Sequence, residues 1–404
     1  MGLQLCQLCE IAYFVTDKIP LENVLLTDYV TTDSLLPNKE GRCVAQNLPP
    51  QKCALTHYKC GDVLVANIRP YLKKIWFADR EGGASADVLV FRAKSGHSQE
   101  FLYASLLQDT FYDYVMKGKK GSKMPRGDRD QIMRYSIPKL SLAEEACIGN
   151  MILSFCTKIN VSRRINDNLE AMAKQLYDYW FVQFDFPNED GKPYKSSGGT
   201  MVWNEKLKRE IPQGWSNGVL SDVANITMGQ SPDGSSYNED GEGIIFYQGS
   251  TDFGLRFPDI RQYTTSPSRY ANKGDILMSV RAPVGALNIA NNDCCIGRGL
   301  SALSSKIGSI THLYYLMNDF RLKFEGMNSA GTTFGSITKD ELFSLPVIIP
   351  TKSVISEFEQ VCEPIFDKQM IIGEEINGLT KQRDELLPLL MNGQATVNYH
   401  LWHG

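Results

Sequence analysis

A chain of 404 residues is long enough to form two or more domains that each bury their own core. Its hydrophobic content of 43% and charged content of 22% are ordinary for a globular protein, and no apolar run reaches the roughly 18 residues that a membrane span requires. The formal net charge of −4 argues against a protein that coats nucleic acid by charge alone, so any contact with nucleic acid must use local patches.

The N-terminal stretch MGLQLCQLCEIAYF carries two cysteines and none of the features of a targeting signal. It has no basic region, Glu10 interrupts its apolar run, and its sixth residue is not the Ser or Thr of a myristoylation signal, so we expect a cytoplasmic protein. Cys6 and Cys9 are spaced like half of a zinc site, but no second Cys pair or His pair follows at ligand spacing. The ten cysteines are more simply reduced core residues, and we expect no metal site.

Two parts of the sequence repeat each other at a separation of about 210 residues. The segment GDVLVANIRP at Gly61–Pro70 returns as GDILMSVRAP at Gly274–Pro283. Downstream, GSKMPRGDRDQIMRYSIP from Gly121 corresponds to GTTFGSITKDELFSLPVIIP from Gly331. Chance can produce one such match, whereas several in the same order at a nearly constant separation indicate a duplicated unit.

Each unit consists of a strand-rich globular part followed by one long helix, which predicts an α+β fold. Short apolar runs bounded by Gly and Pro, such as DVLVA and DILMSV, are typical of strands. After Pro138 and after Pro350, apolar residues recur at spacings of three and four, the pattern of a coiled-coil seam. The seam predicted for the first helix is Ile148, Ile152, Phe155, Ile159, Ile165, Leu169, Met172, Leu176 and Trp180. The seam predicted for the second is Phe358, Val361, Ile365, Ile372, Ile376, Leu379, Leu386 and Leu390.

Length favours a role for these helices beyond packing on their own domains, because a helix of about 38 residues is about 60 Å long. We expect the two helices to pack against each other as an antiparallel pair that separates two globular heads. The seam is imperfect, since Ser162 and either Lys368 or Gln369 stand where apolar residues are expected. Pro364 and Pro388 should kink or end the second helix locally.

The stretch FDFPNEDGKPYKSSGG, Phe184–Gly199, lies between the two units and is dense in residues that interrupt helices and strands. Its Pro, Gly and Ser residues predict a passive turn that links the first long helix to the second globular part. Its aromatic residues Phe184, Phe186 and Tyr194 leave packing against a partner protein as the alternative.

No catalytic constellation stands out in the sequence. It contains no GxxxxGK[ST] phosphate loop, no GxGxxG after a strand, no HExxH and no GxSxG. NLPPQ at Asn47 resembles only distantly the Asn-Pro-Pro-aromatic motif of amino-methyltransferases, and the five histidines are dispersed. Together with the duplication and the long helices, this absence favours a binding scaffold that is not an enzyme.

Loops at equivalent places in the two units favour nucleic-acid binding. The stretch at Met116–Arg129 carries Lys117, Lys119, Lys120, Lys123, Arg126 and Arg129 against a single Asp128, whereas its counterpart NSAGTTFGSITKD is neutral and rich in small hydroxyl residues. Cationic side chains neutralise phosphates, and Ser, Thr, Asn, Gln and Arg side chains reach base edges. A solvated surface loop is the simpler alternative. Arg69 and Arg281, one position apart when the repeats are aligned, either read guanine or pair with a carboxylate.

These segments resemble the specificity subunits of type I restriction–modification systems, over essentially the whole chain. The resemblance rests on the tandem repeat and on IPQGW at Ile211–Trp215, MGQSPDGSSYN at Met228–Asn238, YQGSTDF at Tyr247–Phe253, GDILMSVRAPVG at Gly274–Gly285, CIGRGL at Cys295–Leu300 and GTTFGSI at Gly331–Ile337. One segment departs from the family's pattern, because IPQGW has no clear copy in the first unit. IPLENVLLTDYV at Ile19–Val30 takes that place more loosely, so sites in the first unit follow less directly.

The resemblance implies a sequence-specific DNA-binding subunit without catalytic activity. Two target-recognition domains, each reading one half of a split and asymmetric double-stranded DNA sequence, would be held apart by the helices, which would also dock two methyltransferase subunits. Restriction or translocase subunits are further candidate partners. S-adenosylmethionine, ATP and Mg²⁺ would belong to the partners, so no cofactor is expected on this chain. Half-sites about 34–36 Å apart, one turn of duplex, suit such a duplicated chain.

The corresponding division of the chain is a first target-recognition domain (1–140), a central long helix (141–183), a linker (184–210), a second target-recognition domain (211–350) and a C-terminal long helix with its tail (351–404). The DNA-binding residues expected in the first unit are Arg69, Tyr71, Lys73, Lys119, Lys120, Ser122, Lys123 and Arg126. Those expected in the second are Gln230, Ser231, Gln248, Ser250, Arg281, Arg298, Thr332, Thr333 and Ser336. The partner-binding residues expected on the helices are Ile165, Leu169, Leu176, Trp180, Ile376, Leu379 and Leu386.

Three other interpretations are left open by the sequence. A methyltransferase or nuclease in its own right would be supported if the isolated chain bound or turned over S-adenosylmethionine. A coiled-coil adaptor without its own DNA readout predicts that changes in the loops of the globular parts leave DNA binding by its complex unchanged. An accessory protein of toxin or phage type with similar globular parts is not distinguished by any feature of the sequence.

Overall fold

A computed structural model describes residues 4–51, 53–119, 121, 123–329 and 335–397, and for residues 326–329 it describes the backbone alone. The chain mixes helices and strands in an α+β fold. It divides into two compact units, Met1–Arg163 with Ile376–Gly404, and Arg164–Glu375. Each unit combines one globular head with segments of the two long helices.

The first head is built from short strands covered by helices. Its described strands are β1 (Leu5–Gln7), β2 (Ala12–Phe14), β3 (Lys18–Pro20), β4 (Tyr29–Val30), β5 (Ala54–Tyr58), β6 (Val63–Ala66), β7 (Ile75–Phe77), β8 (Gly82–Ala84), β9 (Val88–Ala93) and β10 (Ser136–Pro138). Its described helices are α1 (Leu8–Ile11), α2 (Gln99–Leu107), α3 (Asp109–Lys117) and α4 (Arg129–Ile132). One sheet has the antiparallel order β2–β9–β6–β7, the other has the order β3–β5–β8–β4 with β4 parallel to β8, and β1 pairs with β10.

The second head follows helix α5 (Leu142–Tyr177), which continues as a π-helical turn over Asp178–Val182. Its described strands are β11 (Met201–Asn204), β12 (Arg209–Pro212), β13 (Ser216–Val219), β14 (Ala224–Met228), β15 (Tyr237–Asn238), β16 (Ile244–Tyr247), β17 (Tyr263–Thr264), β18 (Tyr270–Ala271), β19 (Ile276–Ser279), β20 (Leu287–Ile289), β21 (Cys294–Ile296), β22 (Leu300–Ser305) and β23 (Pro346–Ile349). Its described helices are α6 (Leu220–Val223), α7 (Ile310–Ser329) and α8 (Lys339–Phe343), and helix α9 (Lys352–Met391) ends the described elements.

The two heads share the strand order of one four-stranded sheet and of one strand pair. The sheet β2–β9–β6–β7 of the first head corresponds to β14–β22–β19–β20 of the second, and the pair β1–β10 corresponds to β13–β23. In the other sheet, the parallel pair β4–β8 corresponds to the parallel pair β16–β21. The repeated sequence segments therefore fold into repeated structure, with strand β6 matching β19.

The Gly-Asp pair that opens both β6 and β19 has a geometric reason. Gly61 and Gly274 have φ angles of 89° and 92°, in the left-handed region that glycine adopts without strain. Asp62 and Asp275 then each accept a hydrogen bond of 2.8 Å from the backbone N–H three residues earlier. This turn fixes the start of the central strand in each head and explains why the two residue types recur together.

Helices α5 and α9 are long and continuous. Ser141 caps the start of α5, where its backbone N–H donates to Glu144 at 2.8 Å. Neither Pro364 nor Pro388 ends α9, although both were expected to disturb it locally, because packing of its apolar face stabilises the helix around them. No helix in the described part of the chain combines the length and apolar character needed to cross a membrane.

The buried faces of the two long helices differ in part from the predicted seams. On α5 and the π-helical turn after it, the buried residues include Ile148, Ile152, Cys156, Ile159, Ser162, Asn166, Ala173, Tyr177 and Trp180. On α9 they include Phe358, Cys362, Phe366, Gln369, Ile372, Ile376, Arg383, Leu387 and Leu390, each about 210 residues further on. The seam prediction is wrong for Ile165 and Met172 of α5, which are exposed because the small or polar residues Ser162, Asn166 and Ala173 occupy the buried face instead. It is also wrong for Val361 of α9, which is exposed while its neighbour Cys362 is buried.

Within the second unit the two helices run antiparallel. Glu170 of α5 accepts a hydrogen bond of 2.8 Å from Gln369 of α9, and Tyr177, seven residues later, meets Phe358, which lies earlier in α9. In the first unit, Ile152 and Cys156 of α5 share a core cluster with the last turns of α9. Each head is therefore packed on segments of both helices.

The segment between α5 and the second head is well structured. Phe184 and Phe186 are buried in one cluster with Trp215, and the ring of Phe186 stacks on both Trp215 and Tyr194, with centroid distances of 5.1 and 4.6 Å. Strands β11 and β12 then form an antiparallel hairpin. The aromatic residues of this segment thus pack within their own unit, on the start of the second head.

Candidate nucleic-acid interface

In the first head, strand β6 leads into the segment that carries Arg69 and Tyr71. The backbone N–H of Arg69 donates to Pro125 at 2.8 Å, and Ile68 forms an isolated β-bridge with Arg126. The cationic loop around residues 116–129 is thereby held against the end of β6. The structure brings Arg69 and Arg126 together on neighbouring backbone segments.

The second head repeats this arrangement. Arg281 forms an isolated β-bridge with Ser336, and the backbone N–H of Ala282 donates to Gly335 at 3.1 Å. Comparison of the bridges shows that Ile68, not Arg69, occupies the position of Arg281. The two arginines are therefore one residue apart in the repeat, as the sequence alignment indicates.

The turn that follows Arg69 is held in an unusual backbone conformation. Arg69 and Lys73 both have a φ angle of 51°, in the left-handed region, and they bracket a single 3₁₀ turn over Pro70–Leu72. Such residues cost about 1–3 kcal/mol each and persist where surrounding contacts hold them. This turn presents Tyr71, whose side chain is half exposed.

Two of the predicted cations of the first head are engaged in ion pairs. Lys73 Nζ lies 2.9 Å from Asp109 Oδ1, and Arg126 Nη2 lies 3.1 Å from Asp87 Oδ1. Burial alone would raise the pKa of Asp109, but hydrogen bonds from Lys39 and Lys73 outweigh it and hold that pKa below its usual range. Lys73 thus lies against a stably ionised carboxylate, which reduces its net attraction for a phosphate.

The remaining predicted residues of this loop lie at the surface or outside the described residues. Lys119 and Lys123 are exposed. Lys120 and Ser122 lie outside the described residues. Asp128 caps α4 by accepting from the backbone N–H groups of Asp130 and Gln131, each at 3.0 Å, so its charge stabilises the helix start. The exposed part of the loop is therefore cationic.

In the second head, several predicted residues converge on one surface recess with a cavity volume of about 200 Å³. The predicted residues that line it are Ser231, Gln248, Ser250, Arg281 and Arg298. Thr251, Ser279, two glycines and Ala282 complete the lining, so that no carboxylate is among the lining residues. We call this feature the second-head recess.

Backbone contacts between three segments build the second-head recess. The N–H of Arg298 donates to Ser231 Oγ at 3.2 Å, and the N–H of Gly299 donates to the carbonyl of Gln248 at 3.3 Å. A Cβ atom at Gly299 would lie 2.7 Å from that carbonyl oxygen, so only glycine allows the approach. The close packing leaves the Gln248, Arg281 and Arg298 side chains at the surface.

The other predicted residues of the second head either border the second-head recess or lie outside the described residues. The backbone N–H of Gln230 donates to Ile296 at 3.0 Å beside the recess, and Ser336 is bridged to Arg281. Thr332 and Thr333 lie outside the described residues. Sequence reasoning missed Thr251, although it stands in the quoted motif YQGSTDF, and it missed the buried Ser279, whose hydroxyl donates to the Arg281 carbonyl at 2.6 Å.

The predicted partner-binding residues fall into three groups. Ile165 is exposed, whereas Leu169, Leu176, Leu379 and Leu386 are partly buried. Trp180 and Ile376 are buried within their own units, and Trp180 meets Phe358 at a ring distance of 5.5 Å. The large apolar side chains that reach the surface on α5 and on the π-helical turn after it are Leu142, Val161, Ile165, Met172, Tyr179 and Val182.

Among the described residues, no three His, Cys, Asp or Glu side chains are grouped closely enough to hold a metal ion. Cys6 is buried, and burial raises the pKa of its thiol, which disfavours the thiolate that zinc requires. Cys9, its neighbour in the CxxC spacing, donates to Gln7 at 3.6 Å.

Comparison with known proteins gives consistent results. Residues 212–370 match the family described as the type I restriction modification DNA specificity domain. The type I restriction enzyme HindI specificity subunit of Haemophilus influenzae is 23% identical over 91% of this chain and 94% of its own length. The type I restriction enzyme MjaIX specificity subunit of Methanocaldococcus jannaschii is 26% identical over 75% of this chain and 71% of its own length. The crystal structure of the type I restriction–modification system S subunit from M. genitalium shares the fold, with 13% identity, a TM-score of 0.59, and coverage of 97% of this chain and 96% of that one.

The family domain covers most of the second head and the start of α9, and the HindI relative extends the similarity over most of the chain. The first head repeats the strand order of one four-stranded sheet of the second, so the similarity is not confined to one half of the molecule. Residues 212–370 thus match a type I restriction modification DNA specificity domain, and the chain as a whole is similar to type I restriction enzyme specificity subunits over most of its length.

Proposed function

We propose that this chain is the DNA-reading subunit of a type I restriction–modification complex, in which each head binds one half of a bipartite, asymmetric target. The second-head recess is the observation that carries the proposal, because it gathers Arg281, Arg298 and Gln248 with small hydroxyl residues. A guanidinium pairs with guanine O6 and N7, and a Gln amide pairs with adenine N6 and N7. This combination of donors and acceptors fits the edges of bases in the major groove.

The first head supports a different mode of contact. Arg69 and Tyr71 reach the surface next to the exposed Lys119 and Lys123, a combination that suits phosphate neutralisation with a small number of base contacts. Lys73 and Arg126 are ion-paired and serve to hold this surface in shape. Because the two heads present different side chains, we propose two different half-site sequences.

The helices supply the second part of the proposal. We assign 1–140 and 211–350 to two target-recognition domains that α5 and α9 space as a coiled coil, in a pseudo-two-fold repeat. Ile165, Met172 and Tyr179 form an apolar stripe on the side of α5 away from Glu170 and Lys174, which contact the second head. Exposed apolar stripes of this kind are typical of protein interfaces. We propose that two methyltransferase subunits dock here and that S-adenosylmethionine, ATP and Mg²⁺ are bound by the partner subunits.

Exchange of the whole second head tests the proposal. Residues Ile211–Pro350 are replaced by the corresponding residues of another family member, and the assembled complex is used to methylate genomic DNA. Methylation mapping is expected to show one half of the target changed and the other half kept. A target in which both halves or neither half changed would overturn the modular reading.

The adaptor interpretation predicts that changes in the recess leave DNA binding unchanged, whereas the DNA-reading proposal predicts a loss of binding. Arg281→Ala together with Arg298→Ala removes both guanidinium groups from the recess, so DNA binding by the assembled complex should fall by about tenfold or more at the second half-site. Lys206→Ala, an exposed cation of the β11–β12 hairpin, is the matched control. Unchanged DNA binding in the double variant would favour an adaptor whose complex reads DNA through other subunits.

Docking on α5 is tested separately. Met172→Asp places a carboxylate on the exposed stripe and should release the methyltransferase subunits while the chain stays folded, since this side chain is exposed. Gln175→Asp introduces the same charge at an exposed polar position of the same helix. Co-purification of partners that survives Met172→Asp would exclude this stripe as the docking surface.

A further inference from the structure

The loop over residues 248–257, which we call the recess loop, supplies four of the ten residues that line the second-head recess and carries a buried arginine near its end. Residues 248–251 line the recess, and only a few residues later Arg256 is buried between α5 and α9. Its Nη1 lies 3.0 Å from Glu170 Oε2 on α5, and its Nη2 donates to Gln369 Oε1 on α9 at 3.0 Å. One side chain of the recess loop thus binds both long helices.

The contacts around Arg256 close into a network. Gln369 donates from Nε2 to the same Glu170 oxygen at 2.8 Å, so the three side chains are mutually bonded. The guanidinium carbon also lies 5.0 Å from the ring centre of Tyr314 and 4.8 Å from that of Phe366. A planar guanidinium held by directional bonds and by two ring faces has one orientation, unlike an apolar contact.

The rest of the loop is less firmly held on the α5 side. A cavity of about 680 Å³ lies between residues 253–255 and α5, and its lining on the α5 side includes Lys174, Ala171 and Asn166. On the α9 side, Phe257 packs against Phe366 and close to Gly373, but that contact is apolar and has no preferred direction. The Arg256 network is therefore the directional connection between the recess loop and α5.

The first head has a loop at the same place in its topology. In both heads the loop follows the strand that pairs in parallel, β4 in the first and β16 in the second. In the first head it carries Lys39, 3.8 Å from Asp384 of α9, and Glu40, 3.0 Å from Arg163 of α5. A charged contact to both helices thus recurs in this loop with different residues, which indicates a role beyond local packing.

We propose that Arg256, with Glu170 and Gln369, is a positioning residue that fixes the orientation of the second-head recess on the two long helices and so sets the spacing at which the second half-site is read. A buried ion pair contributes little net stability compared with apolar residues of the same size, because desolvation offsets the attraction. The hydrogen bonds of the Arg256 network are directional, so they hold the recess in one orientation. A surface that reads one half-site at a fixed distance from the other half-site requires such a fixed orientation. The inference rests on the proposed DNA-reading function.

The test uses the complete complex with its methyltransferase subunits. The variant Arg256→Met/Glu170→Leu/Gln369→Leu keeps volume and removes every directional bond of the network, so the head should stay folded. Methylation is compared between duplexes with the native spacer and duplexes whose spacer is one base pair longer or shorter. We expect the preference for the native spacer to fall by about tenfold while the bases required in each half-site stay the same.

Controls separate this inference from the function on which it rests. Lys368→Met removes a charge from the neighbouring position of α9 and should keep the native spacer preference. A triple variant that is folded and as selective for the spacer as the unchanged protein overturns the proposal. If the triple variant fails to fold, Arg256→Lys decides in the same way, because it retains the charge but loses the two-pronged geometry. If the proposed DNA-reading function is wrong, the complex assembled with the unsubstituted chain will methylate DNA without sequence preference.

Discussion

The two heads share the strand order of one four-stranded sheet but are fixed to the long helices by chemistry of different strength. In the first head, Lys39 Nζ lies 3.8 Å from Asp384 of α9 and 2.8 Å from Asp109 of the head's own α3, and these two carboxylate side chains are 44% and 57% exposed. In the second, the Arg256 side chain is 4% exposed, its partner Gln369 is fully buried and the Glu170 side chain is 32% exposed. Water reaches the carboxylates of the first contact more than the carboxylate of the second, so the second is more costly to break.

The start of the helix that covers each head shows a similar divergence. Ser98 and Ser309 cap equivalent starts, each hydroxyl accepting from the backbone N–H three residues on, at 3.1 and 3.0 Å. Glu145 of α5 accepts from the Ser98 N–H at 2.9 Å, whereas Glu359 of α9 accepts from the Ser309 hydroxyl. The α5 position that corresponds to Glu359 is Gly149, so the carboxylates come from different turns.

This divergence shows which parts of a duplicated unit can change. The strand order of one sheet and the Gly-Asp turns are retained in both heads because the backbone depends on them. The side chains that attach each head to the helices have changed, although the attachment points have not. Each attachment can therefore be altered in one head with the other as an internal reference.

The largest contrast should come from truncating the two charged contacts. Arg256→Ala leaves the buried Gln369 and the partly exposed Glu170 without their cation, and we expect a loss of about 2–3 kcal/mol in the free energy of unfolding of the second unit. Lys39→Ala should cost about 1 kcal/mol or less in the first unit, because its carboxylate partners are half exposed. Hydrogen exchange resolves the two units separately. Equal losses in the two variants would contradict the difference in strength.

A smaller effect is expected where α5 touches the start of α2. A Cβ atom at Gly149 would lie 2.4 Å from the backbone nitrogen of Phe101, and that backbone cannot move without shifting the head. Gly149→Ala should therefore destabilise the first unit by about 1–3 kcal/mol. Asn150→Ala, an exposed neighbour on the same helix, should change stability by less than about 0.5 kcal/mol. A Gly149→Ala protein as stable as the parent would show that this approach is not close.

His312 gives the second unit a pH dependence that the first lacks at the same position. It occupies the place of Phe101, is fully buried with Nδ1 unpaired among the described residues, and burial lowers the pKa of its imidazole to about 3. Between about pH 6.5 and 3 the unfolded state binds a proton that the folded state does not, so stability falls as the pH falls through this range.

His312→Phe places the residue of the first head in the second. The ring packs edge-on to Phe181 at 4.5 Å, and a phenyl ring can keep that contact. The variant should remove a slope of about 1.4 kcal/mol per pH unit below pH 6.5, measured as the free energy of unfolding at pH 7 and pH 5. If the parent and the variant have the same pH dependence, His312 is not held neutral in the folded state.

The architecture could be predicted from the sequence further than the contacts could. The repeated segments and the spacing of apolar residues predicted strands, two long helices and their order, because backbone geometry depends on local patterns. The buried face in the middle of α5 was missed, since the burial of Ser162 and Asn166 depends on the partner helix and not on their polarity. The same holds for the buried Gln369, whose burial depends on bonds to Glu170 and Arg256.

The candidate site shows the same limit. Motifs around Gln248, Arg281 and Arg298 pointed to residues that the structure brings into one recess, because each motif ends a strand of the same head. The sequence did not indicate the ion pairs of Lys73 and Arg126. Their partners, Asp109 and Asp87, both stand outside the basic stretch Met116–Arg129. Roles in DNA contact stay predictions for all of these residues.

The smallest expected effect compares two glycines of one helix. Gly378 of α9 has no heavy atom within 4 Å of the position that a Cβ would take, so Gly378→Ala should stabilise the first unit by about 0.5–1 kcal/mol through reduced backbone freedom. At Gly373 a Cβ would lie 2.8 Å from the ring of Phe257 in the recess loop. The same substitution there should be neutral or destabilising in the second unit.

This pair also tests the attachment of the recess loop. Gly373 lets Phe257 approach α9, and Arg256, whose Cβ lies 3.5 Å from the same position, enters beside it. If Gly373→Ala stabilised its unit as much as Gly378→Ala, the loop would not be pressed against the helix, and the buried Arg256 contact would lose its structural basis. Thermal unfolding of otherwise identical proteins measures both effects. A higher unfolding temperature for Gly378→Ala and a lower one for Gly373→Ala would place the tight attachment in the second head.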